Sequence, residues 1–173
     1  AHRYNYSIKI FSMAGDIDVE DSIRSVVAEQ VDGIVFLNDE LDKAQMEYIM
    51  NYINESKIPV VLSNVIFDEM DLPSVSVDYK EAVYEVTKEM IENGRKDIYL
   101  LSTVRHYSVN SKKEEGYTKA MEEANLKPNI FRTSGDVNIN TPHFTEFFKH
   151  NKVDGAIGVR DSIAVSFMNS CIK

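Results

Sequence analysis

Short β-branched runs alternate with longer amphipathic stretches along almost the whole chain, and this alternation restricts the fold more than any single motif. The runs "GIVFL" (33–37), "PVVLS" (59–63), "DIYLLS" (97–102), "NIFRTSG" (129–135) and "GAIGV" (155–159) each stand between segments of helical period. Continuous apolar runs of this length mark strands covered on both faces, as in parallel sheets. An earlier run, "SIKIFSM" (7–13), reads as a further strand, and "PSVSVD" (73–78) as a short extended piece. Strands alternating with helices imply βαβ units with right-handed crossovers.

The helical segments carry their own punctuation. "DVEDSIRSVVAEQ" (18–30) has Asp18 as N-cap and places Val19, Ile23, Val26 and Val27 on one face. "DKAQMEYIMNYINES" (42–56) is a second helix, and "YKEAVYEVTKEMIEN" (79–93) a third, stopped by Gly94. "NSKKEEGYTKAMEEANL" (110–126) is a fourth, ended by Asn125 and Pro128. "TPHFTEFFKHN" (141–151) is expected to start with Thr141 as N-cap and Pro142 at N1, and "DSIAVSFMNSCIK" (161–173) with Asp161 as N-cap.

Charge divides the chain. Residues 1–77 hold 5 Lys/Arg against 14 Asp/Glu, whereas residues 78–173 hold 14 against 14. Two series of βα units meeting where the charge changes suggest two small doubly wound domains, 1–77 and 78–173. The acidic part repels phosphate backbones, so nucleic acid is not expected to bind through it. No apolar run approaches the length needed to span a bilayer, no signal segment stands at the start, and a single cysteine, Cys171, fits a reducing cytoplasm. The opening "AHRYNYSIKIF" has no initiator methionine, so a preceding segment is expected.

In open parallel α/β sheets, ligands bind at the carboxyl ends of the strands. That rule selects Asn38, Asn64, the loop "TVRHYSVN" leading to Lys112 and Lys113, Asp136, and the pair Arg160 and Asp161. The set is polar and suits a sugar or another small polar solute. Gly116 interrupts an otherwise strong helix at a cost of roughly 1 kcal/mol. With Ala120 and Ala124 it forms a small-residue face, expected to let the helix approach the sheet closely. Lys113 lies one turn earlier on that face and points towards a crevice, or else it and Lys112 only offset Glu114 and Glu115 on a solvated face. Asp161 serves as a cap or as a ligand group. His106 and His143 have no second ligand at metal spacing. No G-x-G-x-x-G, P-loop or G-x-S-x-G pattern occurs, so neither a cofactor nor catalysis is expected.

Together, "VDGIVFLNDEL", "IPVVLSNV", "PSVSVDYKEAVYEVTKEMIENGRKDIYLLS", "NSKKEEGYTKAMEEANL" and "GVRDSIAVSFMNSCIK" resemble the effector-binding region of LacI/GalR-family transcription regulators, in order and over essentially the whole chain. The likeness leans towards the catabolite control protein A group. It implies a periplasmic-binding-protein-like core of type I, incomplete in this chain, with two subdomains and a small-molecule effector held in the cleft between them. The crossing is expected near Val77 and Asp78. It also implies a homodimer that controls operator DNA through a helix-turn-helix head, with the head, hinge helix, first core strand and last third lying outside this chain.

The family's arginine in R-x-x-G-[YFW] is here Lys113, as in the catabolite control group. In the N-D-x-M-A-x-G motif Asp161 and Ala164 match, while Arg160 replaces the asparagine. Asn64 stands where an aspartate or similar residue follows the "PVV" strand. Lys113 and Arg160 on one site imply an anionic effector such as a sugar phosphate. A phosphorylated carrier protein of the sugar phosphotransferase system is a further partner that the resemblance raises. A solute-binding protein of a sugar transport system, and a small α/β enzyme, are the rival readings.

Overall fold

A computed structural model of the chain describes residues 4, 6–11, 18–37, 43–64, 72–105 and 108–172. The chain divides into two compact units, Ala1–Ser76 and Val77–Lys173. Each contains a three-stranded, wholly parallel sheet.

The first unit contains α1 (Val19–Ala28), β1 (Ile34–Phe36), α2 (Lys43–Ser56), β2 (Val60–Ser63) and β3 (Ser74–Val75), with strand order β1-β2-β3. Asp18 caps α1 as expected, accepting from the Glu20 N–H at 2.8 Å. Register pairs Ile34 with Val60 and Phe36 with Leu62. Phe36, Val60 and Leu62 pack with Ile23 and Val26 of α1 and with Met46, Ile49, Met50 and Ile53 of α2 in one buried cluster.

Both helices therefore lie on the same face of the sheet. The expectation that these strands are covered on both sides is not met among the described residues: Val35 is 63% exposed, and Leu37, Val61 and Val75 are also open. The expected strand at 7–13 is not formed by its described part, 7–11, and residues 12 and 13 lie outside the described residues. Ile8 and Ile10 are exposed there, and Lys9 pairs with Glu29 just beyond α1. A β-prone sequence needs a neighbouring strand to complete its backbone bonds, and an ion pair to a helix end does not supply them.

The second unit contains α3 (Tyr79–Glu92), β4 (Ile98–Thr103), α4 (Ser108–Glu123), β5 (Asn129–Thr133), α5 (Val137–His150), β6 (Gly155–Gly158) and α6 (Asp161–Cys171). The strand order β5-β4-β6 puts β4 at the centre. Alternate side chains of β4 serve the two faces. Ser102 points to α4 and bonds Glu114, while Tyr99 meets the rings of Phe147 and Phe148 on α5 at 5.6 and 6.0 Å. Helices thus cover both faces, the doubly wound arrangement. Asp78 caps α3, Gly94 takes φ +84° just after it, and Asn125 takes φ 57° at the end of α4, as those residue types favour.

Three local expectations are corrected. Helix α5 begins a turn before Thr141, because Asp136 accepts from the Asn138 N–H at 2.8 Å and starts it there; Pro142 lies inside the helix. Asp161 is the first residue of α6, not its cap; Arg160, in an extended conformation, holds the cap position and makes no side-chain cap bond. Gly116 does not serve contact with the sheet. A methyl group added there would stand 2.1 Å from the Lys80 carbonyl oxygen and 3.1 Å from the Tyr84 backbone nitrogen, both on α3. The missing side chain lets two helix backbones touch. None of the helices among the described residues is long and apolar enough to cross a membrane.

The next residue, Tyr117, is fully buried. Its hydroxyl donates to the Ile98 carbonyl at 2.9 Å and accepts from the Asn129 N–H at 2.8 Å, joining α4 to the starts of two strands. Burial pushes its pKa up to about 12.

Two outcomes follow for stability. Gly116→Ala gains roughly 1 kcal/mol of helix propensity but forces a Cβ into backbone, an overpacking cost of about 1–3 kcal/mol. Thermal melting should show a lower Tm, and an unchanged or higher Tm would refute the helix–helix contact. Tyr117 has a folded pKa above its ordinary value of about 10, so its contribution is complete below that pH and is lost as pH rises towards about 12. Tyr117→Phe should lose about 1–3 kcal/mol at neutral pH by stranding the Asn129 N–H. Melts from pH 7 to 11 should then show a shallower alkaline decline for the variant than for the parent.

Candidate functional site

The carboxyl end of the second unit's sheet gathers polar side chains from four elements. At the end of β4, the Thr103 hydroxyl donates to the Arg105 carbonyl at 2.6 Å and accepts from the Asn110 amide at 2.9 Å. At the end of β5, the Thr133 hydroxyl donates to Asn140, and the Asn140 amide donates to the Ser134 carbonyl at 2.7 Å. Thr103 and Thr133 are register partners. Asn110 and Asn140 are buried in the first turns of α4 and α5, so these bonds fix where each helix begins. Beyond β6, the Val159 N–H donates to the Leu101 carbonyl at 3.0 Å, carrying the ladder one residue past the strand.

Lys113 stands over this end. Its ammonium donates to the Val159 carbonyl at 2.7 Å and lies 4.7 Å from the centre of the Tyr79 ring, the first residue of α3. The side chain is half-buried. Lys113 thus reaches the β6–α6 junction. Lys112 instead lies 3.8 Å from Glu115, which also accepts from Lys80 at 2.9 Å. Lys80 foremost, with Lys112, holds the Glu115 carboxyl below its usual range.

Arg160 and Asp161 follow Val159 directly, so Lys113, Arg160 and Asp161 share one corner of the sheet. Arg160 is half-buried and Asp161 exposed. Helix α6 starts there without a side-chain cap, and its first N–H groups carry the positive end of the helix dipole. Gly158 lets α6 come close, since a methyl group on it would meet the Ala164 Cβ at 2.9 Å. Asn64 belongs to the first unit. It follows β2 in the left-handed region at φ 55°, exposed, with its N–H donating to the Val75 carbonyl at 2.9 Å. Asn38 and His106 lie outside the described residues. Asp136 is occupied as the cap of α5. No group of three or more His, Cys, Asp and Glu among the described residues could hold a metal ion.

Tyr79, Glu114 and Arg132 escaped the sequence reading. Glu114 accepts both guanidinium nitrogens of Arg132, one at 2.8 Å, and the hydroxyl of buried Ser102. Glu114 raises the Arg132 pKa further above its ordinary value. Tyr79 had a usable signal, because it follows the extended stretch 73–78 and the carboxyl-end rule extends to that stretch. Arg132 had none, since a charged residue within a strand gives no sign of which helix it meets.

Residues 1–169 match the family of periplasmic binding proteins and sugar binding domain of LacI family. Catabolite control protein A of Priestia megaterium is 30% identical over 128 residues, covering 73% of this chain and 37% of that protein. The HTH-type transcriptional regulator pepR1 of Lactobacillus delbrueckii subsp. lactis is 27% identical over 176 residues, covering 98% of this chain and 50% of that protein. The chain thus spans half or less of the length of these curated relatives. The crystal structure of transcription regulator CcpA of Lactococcus lactis superposes with a TM-score of 0.69 at 28% identity, over 89% of this chain and 56% of that one. Parallel α/β units, the lysine at the strand ends and a match along nearly the whole sequence converge on one assignment: the chain belongs to the periplasmic-binding-protein and LacI-type sugar-binding-domain family.

Proposed function

We propose that this chain is the effector-sensing and dimerisation region of a bacterial LacI-type transcription regulator that works in the cytoplasm, binds a small sugar or sugar phosphate, and carries out no catalysis. It governs DNA binding through a helix-turn-helix head outside this chain. The observation that carries the reading is Lys113, held by the Val159 carbonyl and the Tyr79 ring at the carboxyl end of the sheet, next to Arg160. A cation fixed in place before binding does not have to be ordered by the ligand, and that saves the entropy of a lysine side chain. Arg160 adds a planar fork, and the uncapped start of α6 adds backbone donors. Those groups favour a phosphate ester over its neutral parent sugar. Asp161 and, in the first unit, Asn64 are proposed as hydroxyl-binding partners.

Dimerisation draws support from α6. Val165, Met168 and Ile172 are exposed at helical spacing, and Asp161 is the only charged residue of the helix. A helix with a single charge, at its first residue, and an open apolar stripe is suited to a partner surface.

Calorimetry on the full-length regulator, comparing a hexose with its phosphate ester, tests the ligand. The ester should bind more tightly, and Lys113→Ala should weaken it by about 10–100-fold, the worth of a charged hydrogen bond of about 1.5–3 kcal/mol. Equal binding of ester and sugar, or an Ala variant with full affinity, overturns the proposal. For assembly, Met168→Asp should raise the dimer dissociation constant about tenfold or more in sedimentation experiments; an unaffected dimer removes α6 from the interface.

A further inference from the structure

Lys113 and Glu114 are neighbours in sequence, yet their side chains end at opposite edges of the sheet. Successive helical residues leave the axis about 100° apart, and α4 packs against central β4. Lys113 therefore departs towards β6, where it meets the Val159 carbonyl. Glu114 departs towards β5, where Arg132 grips both its oxygens, and on the way it accepts from Ser102 of β4. Ser102 and Arg132 are register partners on the same face. The two adjacent residues thus tie one turn of α4 to all three strands.

We infer that the Ser102–Glu114–Arg132 cluster is a positioning device that sets the roll of α4 about its axis and thereby places the Lys113 ammonium at the end of β6. The inference rests on the proposed role of Lys113 and adds residues to that site that do not touch the ligand.

Surface ion pairs contribute little as a rule. This one differs in geometry and setting. The guanidinium is bidentate, the Glu114 side chain is 17% exposed, and the third partner, Ser102, is fully buried. On the far side of the helix, Gly116 abuts the α3 backbone. Tyr117 fixes the helix against the strand starts, and the cluster fixes it again about one turn nearer the strand ends, where Lys113 leaves the axis. Rolling by about 15° would move a tip about 6 Å from the axis by about 1.5 Å. The Lys113–Val159 bond of 2.7 Å would not survive such a shift.

Reductive methylation with ¹³C-formaldehyde reads the device without any ligand. In the parent protein Lys113 should react several-fold more slowly than exposed Lys127, because its ammonium is engaged. Arg132→Gln should raise the Lys113 rate at least threefold relative to Lys127, while the circular dichroism spectrum stays native. Arg132→Lys keeps the charge but loses the fork, and should restore part of the protection. Ser102→Ala gives a second variant that leaves the ion pair in place, with a smaller rise expected. A Lys113 rate that does not change in Arg132→Gln, or that rises together with all other lysines, overturns the inference. Release of Lys113 by Arg132→Gln with no loss of phosphate-ester affinity would uphold the positioning device and instead refute Lys113 as a ligand group.

Discussion

The close approach of α4 to α3 at Gly116 is the contact on which the second unit's geometry depends. The two backbones come so near that the space for a Cβ is already taken by the Lys80 carbonyl. Dispersion and buried apolar area hold the pair, but only the absence of a side chain permits that separation. Two consequences follow along α4. Tyr117, adjacent to the contact, is driven down onto the starts of β4 and β5, where its hydroxyl serves both strands. Lys113, one turn back, is brought over the first residue of α3 and the end of β6. A bulkier residue at position 116 would lift both together, which is why a glycine costing helix propensity sits in the middle of the helix.

At the strand ends the same solution appears twice. Thr103 and Asn110, and Thr133 and Asn140, are separated by the same interval, and the two threonines face each other across the β4–β5 ladder. A buried threonine at the last position of a strand exposes a hydroxyl where the backbone turns towards the helix. A buried asparagine in the helix's first turns satisfies it and anchors the turn. Buried polar groups left unpaired are costly, so each pair fixes one geometry for its loop. Directional bonds are concentrated at the edge of the sheet where the lysine stands, and the loops there are held by side chains rather than by length or rigidity alone.

Much of this was legible in the sequence. The alternation of strands and helices after residue 18, the cap at Asp18, the stop at Gly94 and the end at Asn125 all came from residue types whose physics is local. The misreadings share a cause. Gly116 was assigned to the sheet because periodicity shows which residues share a face but not what the face meets. Thr141 reads as the cap because Pro142 fits the first position of a helix, and nothing in the sequence reports that Asp136 caps an earlier turn. Asp161 was taken as a cap for its side chain, whereas the backbone of Arg160 makes the transition. The apolar runs of β1 and β2 suggest burial on both faces, but α1 and α2 lie on one. At the site, Lys113 and Arg160 followed from the rule about strand ends. Glu114 and Arg132 depend on which strand lies beside which, and strand order is a property of the folded sheet.

The two faces of the second sheet hold their helices in different ways. On the α5 and α6 side, Tyr99, Phe131, Phe144, Phe147, Phe148 and Phe167 form a continuous set of ring contacts, with centroids as close as 4.5 Å between Phe131 and Phe147. Such contacts bury large areas and tolerate small shifts, because each is a sum of many weak terms. On the α3 and α4 side, apolar packing of Ile98 and Leu100 with Tyr117 and Met121 is joined by directional bonds, in which Ser102, Arg132 and the Ile98 carbonyl each bind a defined atom of α4. Hydrogen bonds lose most of their value within a fraction of an ångström or a few tens of degrees, so they specify location while adding modest net stability. A sheet held from behind by aromatic packing can use its front face for placement. The helix that bears Lys113 lies on that front face, and the groups that locate it are the ones least able to slide.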